Sequence, residues 1–233
     1  MYTYKTIVRY EDLDSEGFAK PTAILNYLQN TAISHAASVG YDFYSMKEQG
    51  TAWVVMCWHV KLGRKILWNE KITVQTWPYS FRGSIGKRSF KVLAADGEML
   101  AEADSWWALI HLADQSMAEV SPEMVAAYNP DGQAPFSLRR PRGKAEVTEE
   151  AFPVHRFDID TNGHVNNSRF AEMAFAYVPE LSRVKEFMVE YKHSGYLGEM
   201  IVTSHASDDD GVYVCLNRQE DDQLYIKMQV KYE

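Results

Sequence analysis

The chain has 233 residues, and its 46% hydrophobic content suffices for the core of one large domain or two small ones. The net charge of −8 argues against general nucleic-acid binding, because such binding needs a basic surface to neutralise phosphates. No stretch of the sequence approaches the roughly 18 uninterrupted apolar residues that a membrane-spanning helix requires.

Two further features concern the cellular compartment. Residues 1–5 lack the basic region and the apolar run that open a secretory signal. Cys57 and Cys215 lie far apart, each in an apolar and strand-like run, so we predict buried, reduced thiols. These features predict a cytoplasmic protein.

The first half is predicted to open with a strand and a turn that lead into one long helix. This helix should begin near Pro21 and end near Gly40, because proline in the first turn and glycine just past the last turn are usual helix boundaries. The pair Asp96-Gly97 predicts a hairpin. Strands are predicted at residues 4–10, 53–62, 71–78, 86–94 and 98–111, and a short helix at residues 122–128.

A predicted linker, residues 129–150, follows the first half. It contains three prolines and a dense group of basic residues. We therefore predict an N-terminal domain at residues 1–128 and a C-terminal domain at residues 151–233. The basic group consists of Arg139, Arg140, Arg142 and Lys144.

The second half repeats the order of elements of the first. A strand at residues 152–157 and a turn precede a helix at about residues 167–178. In the last strand, apolar and polar residues alternate, which predicts one buried and one exposed face. The strands after the helix are predicted at residues 185–193, 200–206, 212–217 and 224–232.

The repetition extends to the sequence itself. Residues 12–17 (DLDSEG) and 158–163 (DIDTNG) share one pattern at an offset of 146 positions (158 − 12). Apolar residues at the same helical spacing follow both copies. Further along, residues 69–72 match 198–201 at an offset of 129, so the first copy should carry an insertion of about 17 residues (146 − 129), near residues 41–50.

A helix followed by a run of antiparallel strands, present twice, predicts an α+β fold. A lone helix of this kind buries its apolar face best on the concave side of a curled sheet. This is the hotdog arrangement, and we predict a tandem (double) hotdog, each copy with a long helix wrapped by a curled antiparallel sheet.

The second copy of the turn carries the candidate chemistry. Asp160, Asn162 and His164 stand at alternate positions just before a helix, whereas the first copy has Phe18 where the second has His164. A histidine can take a proton from water, a carboxylate can orient it, and an amide can hold a carbonyl or the water. Helix-start N–H groups near residues 165–167 could stabilise an oxyanion. A purely structural turn, capped by asparagine, uses the same residue types.

Other sites fit the sequence less well. The segment from Asp158 resembles the first half of an EF-hand loop, but the twelfth position, where calcium needs a bidentate glutamate, is Arg169. No Cys/His spacing indicates zinc and no glycine-rich loop indicates phosphate binding, so we predict no metal and no cofactor. All six tryptophans lie in the first half, which suggests an apolar binding pocket there or simply a bulky core.

Four segments carry a resemblance to a known family: DIDTNGHVNN (158–167), VEYK (189–192), KPTAILNYLQ (20–29) and ITVQTWP (72–78). With them, the chain resembles the acyl-acyl-carrier-protein (acyl-ACP) thioesterases in their shorter bacterial form. The resemblance implies a tandem hotdog enzyme of fatty acid biosynthesis that hydrolyses the thioester between a fatty acyl chain and acyl carrier protein. The family's Asp-x-Asn-x-His motif falls on Asp160, Asn162 and His164.

One position departs from the family pattern. Relatives commonly have a glutamate shortly after the residue equivalent to Tyr191, followed by cysteine in the plant enzymes, whereas this chain has Ser194 and Gly195. A cysteine nucleophile at that position is excluded, and Ser194 becomes an auxiliary candidate. We expect His164 to act as general base, although Asp160 as the base or as a covalent nucleophile remains open.

The resemblance also implies acyl carrier protein as the partner, which is acidic and needs a local basic patch on this acidic chain. Arg139, Arg140, Arg142 and Lys144 form the densest candidate. Two alternatives remain: a hotdog acyl-CoA hydrolase, and an acyl-binding hotdog protein with weak catalysis. The fold supplies two hotdogs per chain, and further association into a homodimer is open.

Overall fold

The computed structural model describes all residues, 1–233, in two compact units: Met1–Leu138 (unit 1) and Arg139–Glu233 (unit 2). The boundary between the units falls inside the segment predicted as a linker. No helix is both long enough and apolar enough to cross a bilayer.

Unit 1 is a five-stranded antiparallel sheet with one long helix. The strands follow the order β1-β3-β4-β5-β2, and α1 packs on β1 and β3. Ile24, Leu25 and Leu28 of α1 are almost fully buried, which explains the apolar spacing of this helix. The elements are β1 (Tyr2–Ile7), α1 (Pro21–Ser38), α2 (Phe43–Glu48), β2 (Thr51–Leu62), β3 (Lys71–Arg82), β4 (Ile85–Ala94), β5 (Met99–His111) and α3 (Pro122–Tyr128).

Unit 2 repeats this plan. Its sheet has the order β8-β11-β10-β9-β6, with β7 also paired to β9, and α4 packs on β10 and β11. Phe170 of α4 stacks on Tyr225 with the ring centroids 5.2 Å apart, and both side chains are fully buried. The elements are β6 (Val147–Thr148), β7 (Phe152–Pro153), α4 (Asn167–Phe175), β8 (Val184–Tyr191), β9 (Met200–Asp208), β10 (Gly211–Arg218) and β11 (Leu224–Tyr232).

The predicted α+β architecture is confirmed, with a helix on an antiparallel sheet in each unit. The second helix is not long, however: α4 has 9 residues against 18 in α1, and it ends at Phe175 rather than near residue 178. The chain tightens after Phe175, where the N–H groups of Tyr177 and Val178 each bond a carbonyl three residues back, just before Pro179. Proline disfavours helical backbone in the residue before it, so the helix stops here.

The strand predicted at residues 152–157 is also shorter than expected. Only Phe152–Pro153 pairs as a strand, and a 3-10 turn covers Arg156–Asp158. The Asp158 carboxylate accepts a hydrogen bond from the His155 N–H at 2.8 Å, which turns the chain. The corresponding bond in unit 1 joins the Arg9 N–H to Asp12 at 3.0 Å and ends β1 early.

The predicted insertion near residues 41–50 contains α2, and α1 itself is nine residues longer than α4. The segment predicted as a linker is divided between the units, and each part bonds within its own unit. The Asp131 N–H donates to the Pro78 carbonyl at 3.0 Å in unit 1, and the Glu146 N–H donates to the His205 carbonyl at 3.0 Å in unit 2. Cys57 is buried and Cys215 partly buried, and both are free thiols.

Candidate active site

The turn that carries Asp160, Asn162 and His164 is closed by its own backbone. The Asp160 N–H donates to the His164 carbonyl at 2.8 Å, and the Gly163 N–H donates to the Asp160 carbonyl at 3.1 Å. The Asp160 carboxylate accepts the Asn162 backbone N–H at 2.8 Å. Gly163 has φ = +79°, a conformation that a side chain would strain. The sequence-predicted triad is therefore gathered on one short turn.

The same turn exists in unit 1 with different side chains. The Asp14 N–H donates to the Phe18 carbonyl at 2.8 Å, and the Gly17 N–H donates to the Asp14 carbonyl at 3.1 Å. The Asp14 carboxylate accepts the Glu16 N–H at 2.9 Å. The aspartate thus holds the turn in both copies, and the two candidate side chains, the amide and the imidazole, are present on the turn of unit 2 alone.

A second loop is bonded to each turn. In unit 2 the Val165 N–H donates to the Gly195 carbonyl at 2.8 Å, and in unit 1 the Ala19 N–H donates to the Ile66 carbonyl at 2.9 Å. These partners are related by the two offsets found in the sequence, 146 for the turns and 129 for the loops. The position equivalent to Ser194 in unit 1 is therefore Lys65.

His164 lies half-buried at the edge of this arrangement. Its ring meets the ring of Tyr196 edge to face, with the centroids 5.0 Å apart. In unit 1 the Lys65 ammonium lies 4.3 Å from the centre of the Phe18 ring and 3.3 Å from a carboxylate oxygen of Glu16. Unit 1 thus has an ion pair and a cation–π contact at the equivalent positions, and no imidazole.

Asp158 bonds to residues on both sides of the turn. Its buried carboxylate accepts hydrogen bonds from Arg169 at 2.9 Å and 3.2 Å on one oxygen and from the His155 N–H on the other. The same pairing raises the pKa of the Arg169 guanidinium above its ordinary value. The pairing of Arg169 with Asp158 was not predicted from the sequence, although the repetition of this aspartate at position 12 was a signal that it holds the turn. No group of three or more His, Cys, Asp or Glu side chains is arranged to hold a metal ion.

The structure leaves fewer oxyanion donors than the sequence predicts, because two of the backbone N–H groups at residues 165–167 already have acceptors. The N–H of Val165 is bonded to the Gly195 carbonyl, and the N–H of Asn166 is bonded to the Asp158 carbonyl at 2.8 Å. Asn166 caps α4 by accepting the Ser168 N–H at 2.9 Å. Of the three N–H groups at residues 165–167, only that of Asn167 is left for an oxyanion. Ser194 is half-buried on the second loop, next to Gly195.

The basic group of the predicted linker is divided by the structure. All four side chains are exposed, but Arg140 forms an ion pair at 3.2 Å with Glu190, which also binds Lys192 and Lys227. Burial alone would raise the pKa of Glu190, and the two lysines nevertheless hold it below its ordinary value. Arg140 therefore anchors the chain to β8, and Arg142 and Lys144 carry most of the remaining exposed charge.

Comparison with known proteins completes the description of the site. The family model of the acyl-ACP thioesterase N-terminal domain matches residues 1–128, and that of the C-terminal domain matches residues 142–233. Oleoyl-acyl carrier protein thioesterase 1 of Arabidopsis thaliana is 25% identical over 200 residues, covering 77% of this chain and 55% of the relative. The dodecanoyl-[acyl-carrier-protein] hydrolase of Cinnamomum camphora is 25% identical over 219 residues, covering 83% and 56%. The chain spans about half the length of these curated relatives.

Solved structures show the same fold. The 12:0-ACP thioesterase of Umbellularia californica has a TM-score of 0.87 at 17% identity, covering 100% of this chain and 96% of its own. An acyl-ACP thioesterase of Bacteroides thetaiotaomicron has a TM-score of 0.83 at 23% identity, covering 99% and 97%. With the fold, the duplicated turn and both family models in agreement, the chain belongs to the acyl-ACP thioesterase family.

Proposed function

We propose that this protein hydrolyses the thioester between a fatty acyl chain and the phosphopantetheine of acyl carrier protein, and releases a free fatty acid. One observation carries the proposal: two turns share their backbone hydrogen bonds, and only that of unit 2 presents an imidazole and an amide. Family membership supports the reaction class, and the activities of the relatives support acyl-ACP as the substrate.

In the proposed mechanism, His164 takes a proton from a water molecule as the water oxygen attacks the thioester carbonyl carbon. The carbonyl electrons move to oxygen, where the Asn162 side chain and the Asn167 N–H are the available donors. As the carbonyl re-forms, the carbon–sulfur bond breaks and the imidazolium returns its proton to the leaving thiolate. Asp160 holds the turn and contributes negative charge near the imidazolium.

The alternative in which Asp160 attacks the carbonyl and forms an anhydride is less well supported. One oxygen of the Asp160 carboxylate already accepts the Asn162 N–H. Asp14 makes the equivalent contact in unit 1, where it has no imidazole to assist it. A residue that serves the same structural purpose in both copies is a weaker candidate for the reacting group than His164.

The test is hydrolysis of a panel of acyl-ACP thioesters, from short to long chains, beside the matching acyl-CoA thioesters. Turnover of acyl-ACP well above that of acyl-CoA would support the proposal. Equal or better turnover of acyl-CoA would make the protein an acyl-CoA hydrolase. Saturable, stoichiometric binding without turnover would make it an acyl-binding protein.

The departure at Ser194 gives a specific prediction. Ser194 lies on the loop whose Gly195 carbonyl accepts the N–H of Val165, the residue after His164, so a carboxylate here would stand close to the proposed base in the chain's fold. Ser194→Glu is expected to raise kcat by about tenfold, because a second positioned proton acceptor contributes to general base catalysis. The control is Lys65→Glu at the equivalent position of unit 1, which should leave kcat unchanged. A decrease in kcat for Ser194→Glu would show that the chain has adapted to serine.

We further propose that the exposed part of the basic group docks the acidic carrier protein. The triple variant Arg139→Glu, Arg142→Glu, Lys144→Glu leaves the Arg140–Glu190 ion pair in place. It should raise KM for acyl-ACP several-fold and reduce its salt dependence, because like charges now meet the partner. KM for the corresponding acyl-pantetheine thioester is the control and should not change. A parallel rise in both KM values would reject docking at this surface.

The remaining proposals concern location and assembly. Free thiols at Cys57 and Cys215 fit a reducing compartment, so we propose a cytoplasmic location. Association into a homodimer is a separate proposal, and sedimentation of the purified chain at several concentrations would test it.

A further inference from the structure

Arg88 is the one lysine or arginine of this chain that is buried, with 7% of the residue exposed. It lies on β4, on the sheet face that meets α1. Its Nη1 donates to Nδ1 of His35 at 2.9 Å and to the Thr76 hydroxyl at 3.2 Å. Its guanidinium carbon is 5.6 Å from the centre of the Tyr128 ring. Neither Nε nor Nη2 makes a hydrogen bond.

The other buried charged side chains have ion-pair or hydrogen-bond partners within the fold. Asp158 pairs with Arg169, and Glu190 pairs with Arg140, Lys192 and Lys227. Asp104 accepts hydrogen bonds from Tyr79 and from the Ser105 N–H, both at 3.0 Å. Asp104 is paired in register with Ser89, the neighbour of Arg88, and so lies on the opposite sheet face from Arg88. Arg88 alone is a buried cation without a carboxylate.

The groups that touch Arg88 do not supply a negative charge. Burial, together with the charge of Arg88, lowers the pKa of His35 to about 4, so this imidazole is neutral at physiological pH and accepts through Nδ1. Burial raises the pKa of the Tyr128 hydroxyl to about 12, so it stays protonated. Thr76 is neutral. Desolvating a guanidinium without an anion is strongly unfavourable, which makes an external anion the missing element.

We infer that the interior of unit 1 contains a ligand site for a carboxylate, in which Nε and Nη2 of Arg88 bind the two carboxylate oxygens. The edge of the guanidinium formed by Nε and Nη2 offers two parallel N–H groups, the geometry that matches a carboxylate. The surroundings are aromatic: Tyr2 stacks on His35 with centroids 5.3 Å apart, and Tyr41 stacks on Tyr128 at 5.8 Å. Such a site suits a carboxylate attached to an apolar body.

This site goes beyond the proposed hydrolysis, because none of its residues belongs to the turn of unit 2. Two sources could present the carboxylate. One is a free aliphatic acid, and the other is an acyl chain that ends in a second carboxyl group. The chemistry at Arg88 is the same for both, and the experiment has one arm for each.

The first arm measures binding by the intrinsic fluorescence of the tryptophans, all of which lie in unit 1. Hexanoate should bind to the wild-type protein at least about tenfold more tightly than hexan-1-ol, since hydrogen bonds to a charged group are the stronger ones. Arg88→Met, which keeps the length of the side chain without its charge, should bind both ligands equally. His164→Ala should bind hexanoate like the wild type, so the result does not depend on turnover.

The second arm uses the same fluorescence to compare binding of adipoyl- and hexanoyl-pantetheine by wild type and Arg88→Met. Tighter binding of the adipoyl thioester by wild type, lost in Arg88→Met, would assign the site to an acyl chain with a terminal carboxylate. Tighter binding of hexanoate alone would assign it to a free acid.

The inference is overturned when wild type shows no preference for the carboxylate in either arm, or when Arg88→Met retains the preference. Arg88→Lys covers the case in which the methionine variant does not fold. Lysine keeps the charge without the fork, so binding of hexanoate should be weaker and still stronger than that of hexan-1-ol. A folded lysine variant without that preference would also overturn the inference.

Discussion

Replacement of His164 by alanine is expected to lower kcat for acyl-ACP hydrolysis at least about 100-fold, with little change in KM. The reason is positional. His164 follows a turn closed by three hydrogen bonds of Asp160, and these bonds fix the place from which the imidazole projects. Its removal should take away the proton acceptor and leave the backbone intact. Steady-state kinetics and a melting curve of the same preparation are the measurements.

The duplication supplies a matched control for this prediction. Phe18 occupies the equivalent position in unit 1, with the same backbone hydrogen bond to an aspartate N–H. Phe18→Ala removes a larger side chain from the same type of turn, and it should leave kcat within about threefold of wild type. A His164→Ala enzyme that retains full activity would exclude His164 as the base, and an equal loss in both variants would indicate a structural effect.

Replacement of Gly195 by alanine is expected to destabilise unit 2 and to lower kcat at the same time. A β-carbon at this position would lie 2.8 Å from Cζ of Phe170 and 3.2 Å from Cγ2 of Val165. Overpacking of this kind costs about 1–3 kcal/mol, which corresponds to about 2–4 °C in Tm for each kcal/mol in a chain of this size. The Gly195 carbonyl holds Val165, so its displacement should also move His164.

Unit 1 shows how the strain of this variant can be relieved. The equivalent of Gly195 is Ile66, a buried side chain, and the residues equivalent to Val165 and Phe170 are the smaller Ala19 and Ile24. The volume added on the loop is thus accompanied by less volume on the turn and the helix. Combining Gly195→Ala with Phe170→Leu should recover much of the Tm and the kcat. Simple addition of the two single losses would show that the residues do not share one space.

The sequence predicts most of the fold because its elements have local signals. The alternation of apolar and polar residues at 224–232 predicts both ends of β11 correctly. Pro122, which follows the capping Ser121, marks the start of α3. The 3-10 turn Arg156–Asp158 was missed because it depends on a carboxylate bonding an N–H three residues back, which competes with strand pairing. The tiny strand β6 has no alternation of its own and exists only as an addition to β9.

In the candidate site, too, the local features could be predicted from the sequence and the contacts between distant residues could not. Asp160, Asn162 and His164 are neighbours in the chain, so their proximity follows from the turn that the repeated pattern predicts. The predicted range of oxyanion donors, residues 165–167, was too wide because the partner of the Val165 N–H is Gly195, 30 positions further along the chain (195 − 165). The contact of Arg88 with His35 spans 53 positions, and no local pattern indicates it. Contacts of this length become visible only once the register of the strands is known.

The two copies of the turn share their backbone hydrogen bonds and differ in the side chains that we assign to catalysis. Aspartate and glycine close the loop in both copies through the same backbone hydrogen bonds, so one backbone accommodates Asn162 and His164 in unit 2 and Glu16 and Phe18 in unit 1. The proposed base can therefore be present in one copy and absent from the other while both turns keep the same backbone. Each chain is then expected to react with one equivalent of an active-site label, although its architecture contains two places where a reacting centre could stand.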